Sequence, residues 1–156
     1  STAMETSGSI EIGRPIEAVF DYTLNNVSEW SLTVVEDRVT SDGPVGVGTT
    51  FETVTDDHGR RMDFTGKVTR HEVPTLHSIE LIGKMFDLIV DYKFESIPNG
   101  TRLTQTSVVK PKGLMKAVFF FTSWIMKSKG CDAVQKELDS LKQHCEEKIA
   151  SDDSSH

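Results

Sequence analysis

Between Trp30 and Lys110 the apolar residues of this chain recur mainly with a period of two, while in the stretches that flank that span, Ile16–Val27 and Leu114 onward, they recur at the three-and-four spacing of a helix. This double change of period restricts the fold more than any single motif, because it requires a central sheet bracketed by helical segments. Turn signals at Ser41-Asp42-Gly43-Pro44, Asp56-Asp57-His58-Gly59, Gly83-Lys84 and Pro98-Asn99-Gly100 divide the span. They leave strands over Val34–Thr40, Thr49–Thr55, Arg61–Glu72, Leu76–Leu81, Phe86–Glu95 and Thr101–Lys110. Consecutive strands joined by tight turns give an antiparallel sheet with one buried face and one wet face. In the fifth of these strands Phe86, Leu88, Val90, Tyr92 and Phe94 form the buried face, against Asp87, Asp91, Lys93 and Glu95.

Ahead of the sheet, Ile10 and Ile12 alternate with polar residues in a strand over Ser7–Gly13, which Arg14-Pro15 hands to a helix. Ile16, Val19, Phe20, Leu24 and Val27 make one apolar stripe, with a break near Asn25-Asn26. Behind the sheet, Leu114, Ala117, Val118, Phe121, Trp124 and Ile125 share one helical face and are expected to meet the core. Val134, Leu138, Leu141 and Cys145 share another face, out of phase by roughly 120°, which predicts a kink near Ser128-Lys129-Gly130. Residues 1–6 read as a tag remnant, Ser1-Thr2-Ala3, and a disordered start; residues 7–150 read as one domain, and 151–156, without an apolar side chain beyond the last helix, as a disordered tail.

Composition excludes several classes. A net charge of −7 opposes nucleic-acid binding, and a chain of about 150 residues buries enough surface for a core without staples. The longest nearly uncharged apolar run, Leu114–Met126, contains Lys116 and falls short of the about 20 residues a bilayer crossing needs. No secretory pattern precedes the first strand, so a cytoplasmic location is expected. Cys131 and Cys145 lie about 21 Å apart along a straight helix and cannot pair there. His58, His71, His77, His144 and His156 show no local ligand spacing, so no metal is expected. Gly46-Val47-Gly48 lacks the Lys and helix start of a phosphate loop, and no cofactor is expected.

Ile10-Glu11-Ile12, Arg14-Pro15-Ile16-Glu17-Ala18-Val19-Phe20, Trp30 and Gly46-Val47-Gly48-Thr49-Thr50-Phe51 give the chain its family character, continued by Gly59-Arg60, Val73-Pro74 and Asn99-Gly100-Thr101-Arg102-Leu103-Thr104. Over about Ser7 to Ile149 the sequence resembles the START-like, Bet v 1-like superfamily and, within it, the polyketide cyclase/dehydrase (SRPBCC) family. The resemblance implies an α+β helix-grip fold, in which a seven-stranded curved antiparallel sheet wraps a long C-terminal helix and two short helices follow the first strand. It also implies an apolar cavity between sheet and helix for a lipid, polyketide, quinone or hormone. These are scaffold motifs, and they leave ligand and reaction open.

Alternation nominates the lining of such a cavity: Phe51, then Met62, Phe64 and Val68, then Leu88, Val90 and Tyr92, then Leu103, Gln105 and Ser107. From the helices come Phe20, Phe121, Trp124, Ile125, Val134 and Leu138, and His77 falls on the apolar side of its strand beside Ile79 and Leu81. Gln105, Ser107 and Tyr92 can orient a ligand or bond within a filled core. Tyr92 and His77 are the only catalytic candidates, because Glu80, Asp87 and Asp91 read as outward. Three functions compete: binding or transport of a hydrophobic small molecule, a polyketide cyclase or dehydratase, and a protein-partner module. The last would use Phe119, Phe120 and Met126, which read as exposed beside Lys112, Lys116 and Lys127. That face equally suits packing on its own chain, a homodimer or a transient membrane-surface contact.

Overall fold

The computed structural model describes the backbone of residues 3–154 and the side chains of residues 3–149; the expected tag remnant at Ser1 and Thr2 and the tail end at Ser155 and His156 lie outside the described residues. Strand β1 (Met4–Ile12) leads through Pro15 into helices α1 (Ile16–Asn25) and α2 (Val27–Trp30), which part at Asn26. The indole of Trp30 donates to the Thr23 carbonyl at 3.0 Å and locks the two helices together. Then follow β2 (Val34–Val39), β3 (Thr50–Asp57), β4 (Arg60–Glu72), β5 (Leu76–Ile82), β6 (Phe86–Ile97), β7 (Gly100–Pro111) and helix α3 (Met115–Ser154).

The seven strands form one antiparallel sheet in the order β1-β7-β6-β5-β4-β3-β2. The β1–β7 pairing joins strands distant in the chain, and it runs from Met4 opposite Val109 to Ile12 opposite Thr101. Two turns depend on glycine. Gly59 takes a φ of +85° between β3 and β4, and a Cβ on Gly100 (φ +154°) would overlap the Ile12 carbonyl. The first strand thus starts at Met4, three residues before the expected Ser7, because β7 is long enough to offer ladder partners to Met4, Glu5 and Thr6. Part of the segment expected to be a disordered start is therefore sheet. At the other end the α3 backbone stays helical to Ser154, into the segment expected to be a disordered tail.

Helix α3 is one helix of 40 residues with no break at Gly130. Its covered positions, Met115, Phe119, Thr122, Met126, Gly130, Val134, Leu138, Leu141 and Cys145, recur every about 3.75 residues. A stripe of that period winds slowly round a straight helix, so the contact face turns with the sheet and no kink is needed. Gly130 serves close approach, since a Cβ there would stand 2.8 Å from Thr6 Cγ2. The carboxy-terminal half is tied along β1 and the β1–α1 junction: Lys142 Nζ donates to the Glu11 carbonyl at 2.6 Å, and the Gly13 amide to Glu146 Oε2 at 2.8 Å. Ser140 Oγ donates to the Trp30 carbonyl at 2.6 Å.

Two separate apolar clusters result. One joins β1, α1, α2 and the later part of α3 through Ile12, Phe20, Trp30, Phe94, Leu103, Leu138 and Leu141. The other lies on β3, β4 and β5, where Phe51, Phe64, Val68 and Leu81 gather with Phe86 and Leu88. No described helix is long and apolar enough to cross a membrane.

Candidate ligand cavity

A cavity of about 280 Å³ lies where the two clusters fail to meet. Its floor is the inner sheet face, with Phe51, Phe64, Val68, Leu81, Leu88 and Val90. Its walls come from α1 and α2 through Leu24, Val27 and Trp30, from β2 through Val34, Asp37 and Val39, and from α3 through Glu137. Val34 and Asp37 are three apart and would face opposite ways in a regular strand; a bulge between Val34 and Glu36 brings them to the same wall.

A few polar atoms interrupt this apolar lining. Gln105 spends its amide nitrogen on a long bond to Ser107 Oγ at 3.5 Å, and its buried Oε1 has no partner. Thr55 Oγ1 is likewise buried and unpaired. The Tyr92 hydroxyl has no hydrogen-bond partner among the described residues. Burial raises its pKa, and the carboxylates of Glu137 and Asp37 add to the rise, so it stays a neutral donor. Asp37 keeps part of its surface in solvent, yet dehydration of its carboxyl raises its pKa despite a 2.6 Å hydrogen bond donated by Thr53 Oγ1. Glu137 fixes the segment after α2, accepting from Ser31 Oγ at 3.0 Å, Thr33 Oγ1 at 3.1 Å and the Leu32 amide at 3.1 Å.

His77 lines the cavity and bonds to a second histidine. In the β4–β5 register His71 stands opposite His77, and their Nδ1 atoms are 3.0 Å apart. A bond between two such nitrogens requires one protonated and one bare Nδ1. Burial, followed by the neighbouring His71, pulls the His77 pKa from 6.5 down to about 4, so its ring is neutral near pH 7. Its Nε2 has no hydrogen-bond partner among the described residues.

Of the residues nominated from sequence, Phe51, Phe64, Val68, His77, Leu88, Val90, Tyr92, Gln105 and Ser107 stand together on the cavity wall. Phe20, Leu103, Val134 and Leu138 instead fill the first cluster, and Met62 packs against the second without reaching the cavity. The expectation for the start of α3 is reversed. Phe121 and Trp124 are 76% and 75% exposed and Ile125 is also exposed, whereas Phe119, expected outside, is 3% exposed. Met126 is half-buried with its sulfur accepting from Thr122 Oγ1, and of the expected partner face only Phe120 is open to solvent. The two stripes of this helix are nearly equal in hydrophobicity, so periodicity cannot say which one turns inward. Sequence reasoning missed Asp37, hidden by the bulge, and Glu137, although an acid next to Leu138 on the covered side of α3 was a readable signal. It also missed the histidine pair, which is formed by strand pairing across the turn at 73–75. Asp87, Asp91 and Glu80 do not line the cavity. Among the described residues no group of three or more His, Cys, Asp or Glu side chains could hold a metal ion.

A curved seven-stranded antiparallel sheet gripping a long C-terminal helix is the Bet v 1-like fold. Three solved structures share it: TTHA0849 from Thermus thermophilus, Zhui aromatase/cyclase from Streptomyces sp. R1128, and Ara h 8.0201. The first is 14% identical with a TM-score of 0.75, covering 90% of this chain and 96% of its own. The second is 8% identical at 0.70, covering 94% and 96%, and the third 12% identical at 0.62, covering 92% and 97%. Identities this low establish the fold alone. The family model described as polyketide cyclase / dehydrase and lipid transport matches residues 3–146, and the chain belongs to that family. No curated protein matches the sequence.

Proposed function

We propose that the protein binds and carries a hydrophobic small molecule in the cavity between its two apolar clusters. The observation that carries this reading is the buried, unpaired Gln105 Oε1 on a largely apolar wall. A cavity of about 280 Å³ on whose lining Gln105 Oε1 and Thr55 Oγ1 are buried and unpaired suits a ligand with an apolar body and a hydroxyl or N–H donor. The neutral Tyr92 hydroxyl offers the complementary donor. Family membership supports this class of ligand at the family level.

The test is to purify the protein from its native host, denature it and identify the co-purifying molecule by mass spectrometry. A near-stoichiometric apolar compound with a donor group is expected, and Gln105→Leu should weaken its rebinding by about tenfold, the loss of one buried hydrogen bond. Empty protein together with no binding of apolar probes would refute the reading. A second reading, a cyclase or dehydratase, draws on the His71–His77 pair, which leaves His77 Nε2 free to move a proton at the cavity wall. Under that reading His77→Gln retains ligand affinity and abolishes conversion; conversion that survives the change would eliminate it.

A further inference from the structure

The first half of α3 is apolar on nearly all sides. Met115, Phe119, Thr122 and Met126 face the protein, while Leu114, Phe120, Phe121 and Trp124 are 88%, 71%, 76% and 75% exposed. Val118 and Ile125 extend the same outward sector. A helix apolar all round is ordinarily covered, and here nothing within the described chain covers the outer side. Charge indicates what does. Residues 110–129 hold five lysines and no acid, so the remainder of a chain of net −7 carries −12. Lys112 is neutralised by Asp87 at 2.8 Å, but Lys110, Lys116, Lys127 and Lys129 are exposed and form no ion pair among the described residues. On the helix, Lys116 and Lys127 border the exposed sector on one side and Lys129 on the other.

We propose that this half of α3 docks on an anionic lipid surface, with Phe120, Phe121 and Trp124 entering the interfacial layer and the three bordering lysines meeting lipid phosphates. Aromatic rings flanked by lysines match that boundary, which is apolar below and negative above. The bordering lysines would meet lipid phosphates at contact, well inside a Debye length of about 8–10 Å, and the acids nearest the segment, Asp87 on Lys112 and Asp132 after Lys129, stand at its two ends. A second copy fits less well, because a two-fold contact through this stripe would set lysines against lysines with no acid in the segment to answer them. The inference is independent of what the cavity holds.

The test is flotation of the full chain with vesicles of phosphatidylcholine alone and of phosphatidylcholine with phosphatidylglycerol, read together with tryptophan fluorescence. Trp30 is 3% exposed, so a vesicle-dependent blue shift reports Trp124. Expected are flotation only with the anionic vesicles, a blue shift, release by high salt, and an affinity loss of about tenfold or more in Lys116→Glu/Lys127→Glu or in Phe120→Asp/Phe121→Asp. All four positions are exposed, so circular dichroism should be unchanged; were an Asp variant misfolded, Phe120→Ser/Phe121→Ser takes its place. Absence of flotation at low salt, flotation indifferent to both variant pairs, or a concentration-dependent dimer that Phe121→Asp dissociates while vesicles bind nothing would each overturn the proposal.

Discussion

His71 and His77 meet edge to face across the β4–β5 hairpin, with ring centroids 5.2 Å apart and Phe20 packed against both. The Nδ1 that accepts in this bond cannot be protonated while the bond stands, so the His71–His77 contact holds only while its acceptor ring is neutral.

The direction of that effect follows from the His77 pKa, lowered from 6.5 to about 4 by burial and then by His71. A histidine with a depressed folded pKa favours folding fully above about 6.5, and that contribution is lost as the pH falls toward 4. Its size is about 3 kcal/mol. Thermal unfolding of the wild type should show stability dropping over this window, with a shallower drop in His77→Gln. An identical pH profile in the variant would place the acid sensitivity elsewhere.

A Cβ at Gly66 would overlap the ring of Phe51, its cross-strand neighbour. Gly66→Ala should drive that ring toward the cavity it lines, lowering stability by about 1–3 kcal/mol and weakening ligand uptake together. Denaturant unfolding and probe titration measure the two effects, and a variant as stable and as receptive as the wild type would contradict the packing described.

Gly130→Ala sets a gain in helix propensity of about 1 kcal/mol against the 2.8 Å approach to Thr6 Cγ2. Thr6→Ser removes that methyl group. The double variant should be more stable than the sum of the single changes predicts, and a double-mutant cycle reads this coupling directly. Additive effects would show that α3 and β1 do not touch there.

Glu137→Ala removes the acceptor of three hydrogen bonds that hold residues 31–33 against α3. A loss of about 1–3 kcal/mol is expected, accompanied by faster hydrogen exchange at the Leu32 amide and unchanged exchange in β6. Uniformly faster exchange would mean global destabilisation rather than release of this cavity wall.

The strands were legible because most carry an alternation of apolar and polar residues between turn signals, and Phe86, Leu88, Val90, Tyr92 and Phe94 mark the inner face of β6. Pro15 and Asn26 likewise delimit the short helices. The start of α3 was not legible in this way. Phe119 and Phe121 are equally apolar and two positions apart, and the choice between them depends on where the sheet lies, which no local pattern records. The wall formed by Asp37 and Glu137 was hidden for a related reason: a bulge moves one, and the other looks like any helix acid until the turn it anchors is present. The histidine pair belongs to the same class, because a cross-strand neighbour at a separation of six residues exists only once the hairpin register is set.

Under the proposed function, the gap between the two apolar clusters also bears on how long each molecule survives. Side chains around the void lack part of the contact that a filled interior would provide, so an occupant that binds only the folded chain raises the free energy of unfolding in step with its supply. Empty copies then open more often than loaded ones and are the first to meet proteases. Under the proposed function, the cellular level of the protein would follow the availability of its ligand, with no dedicated regulator required.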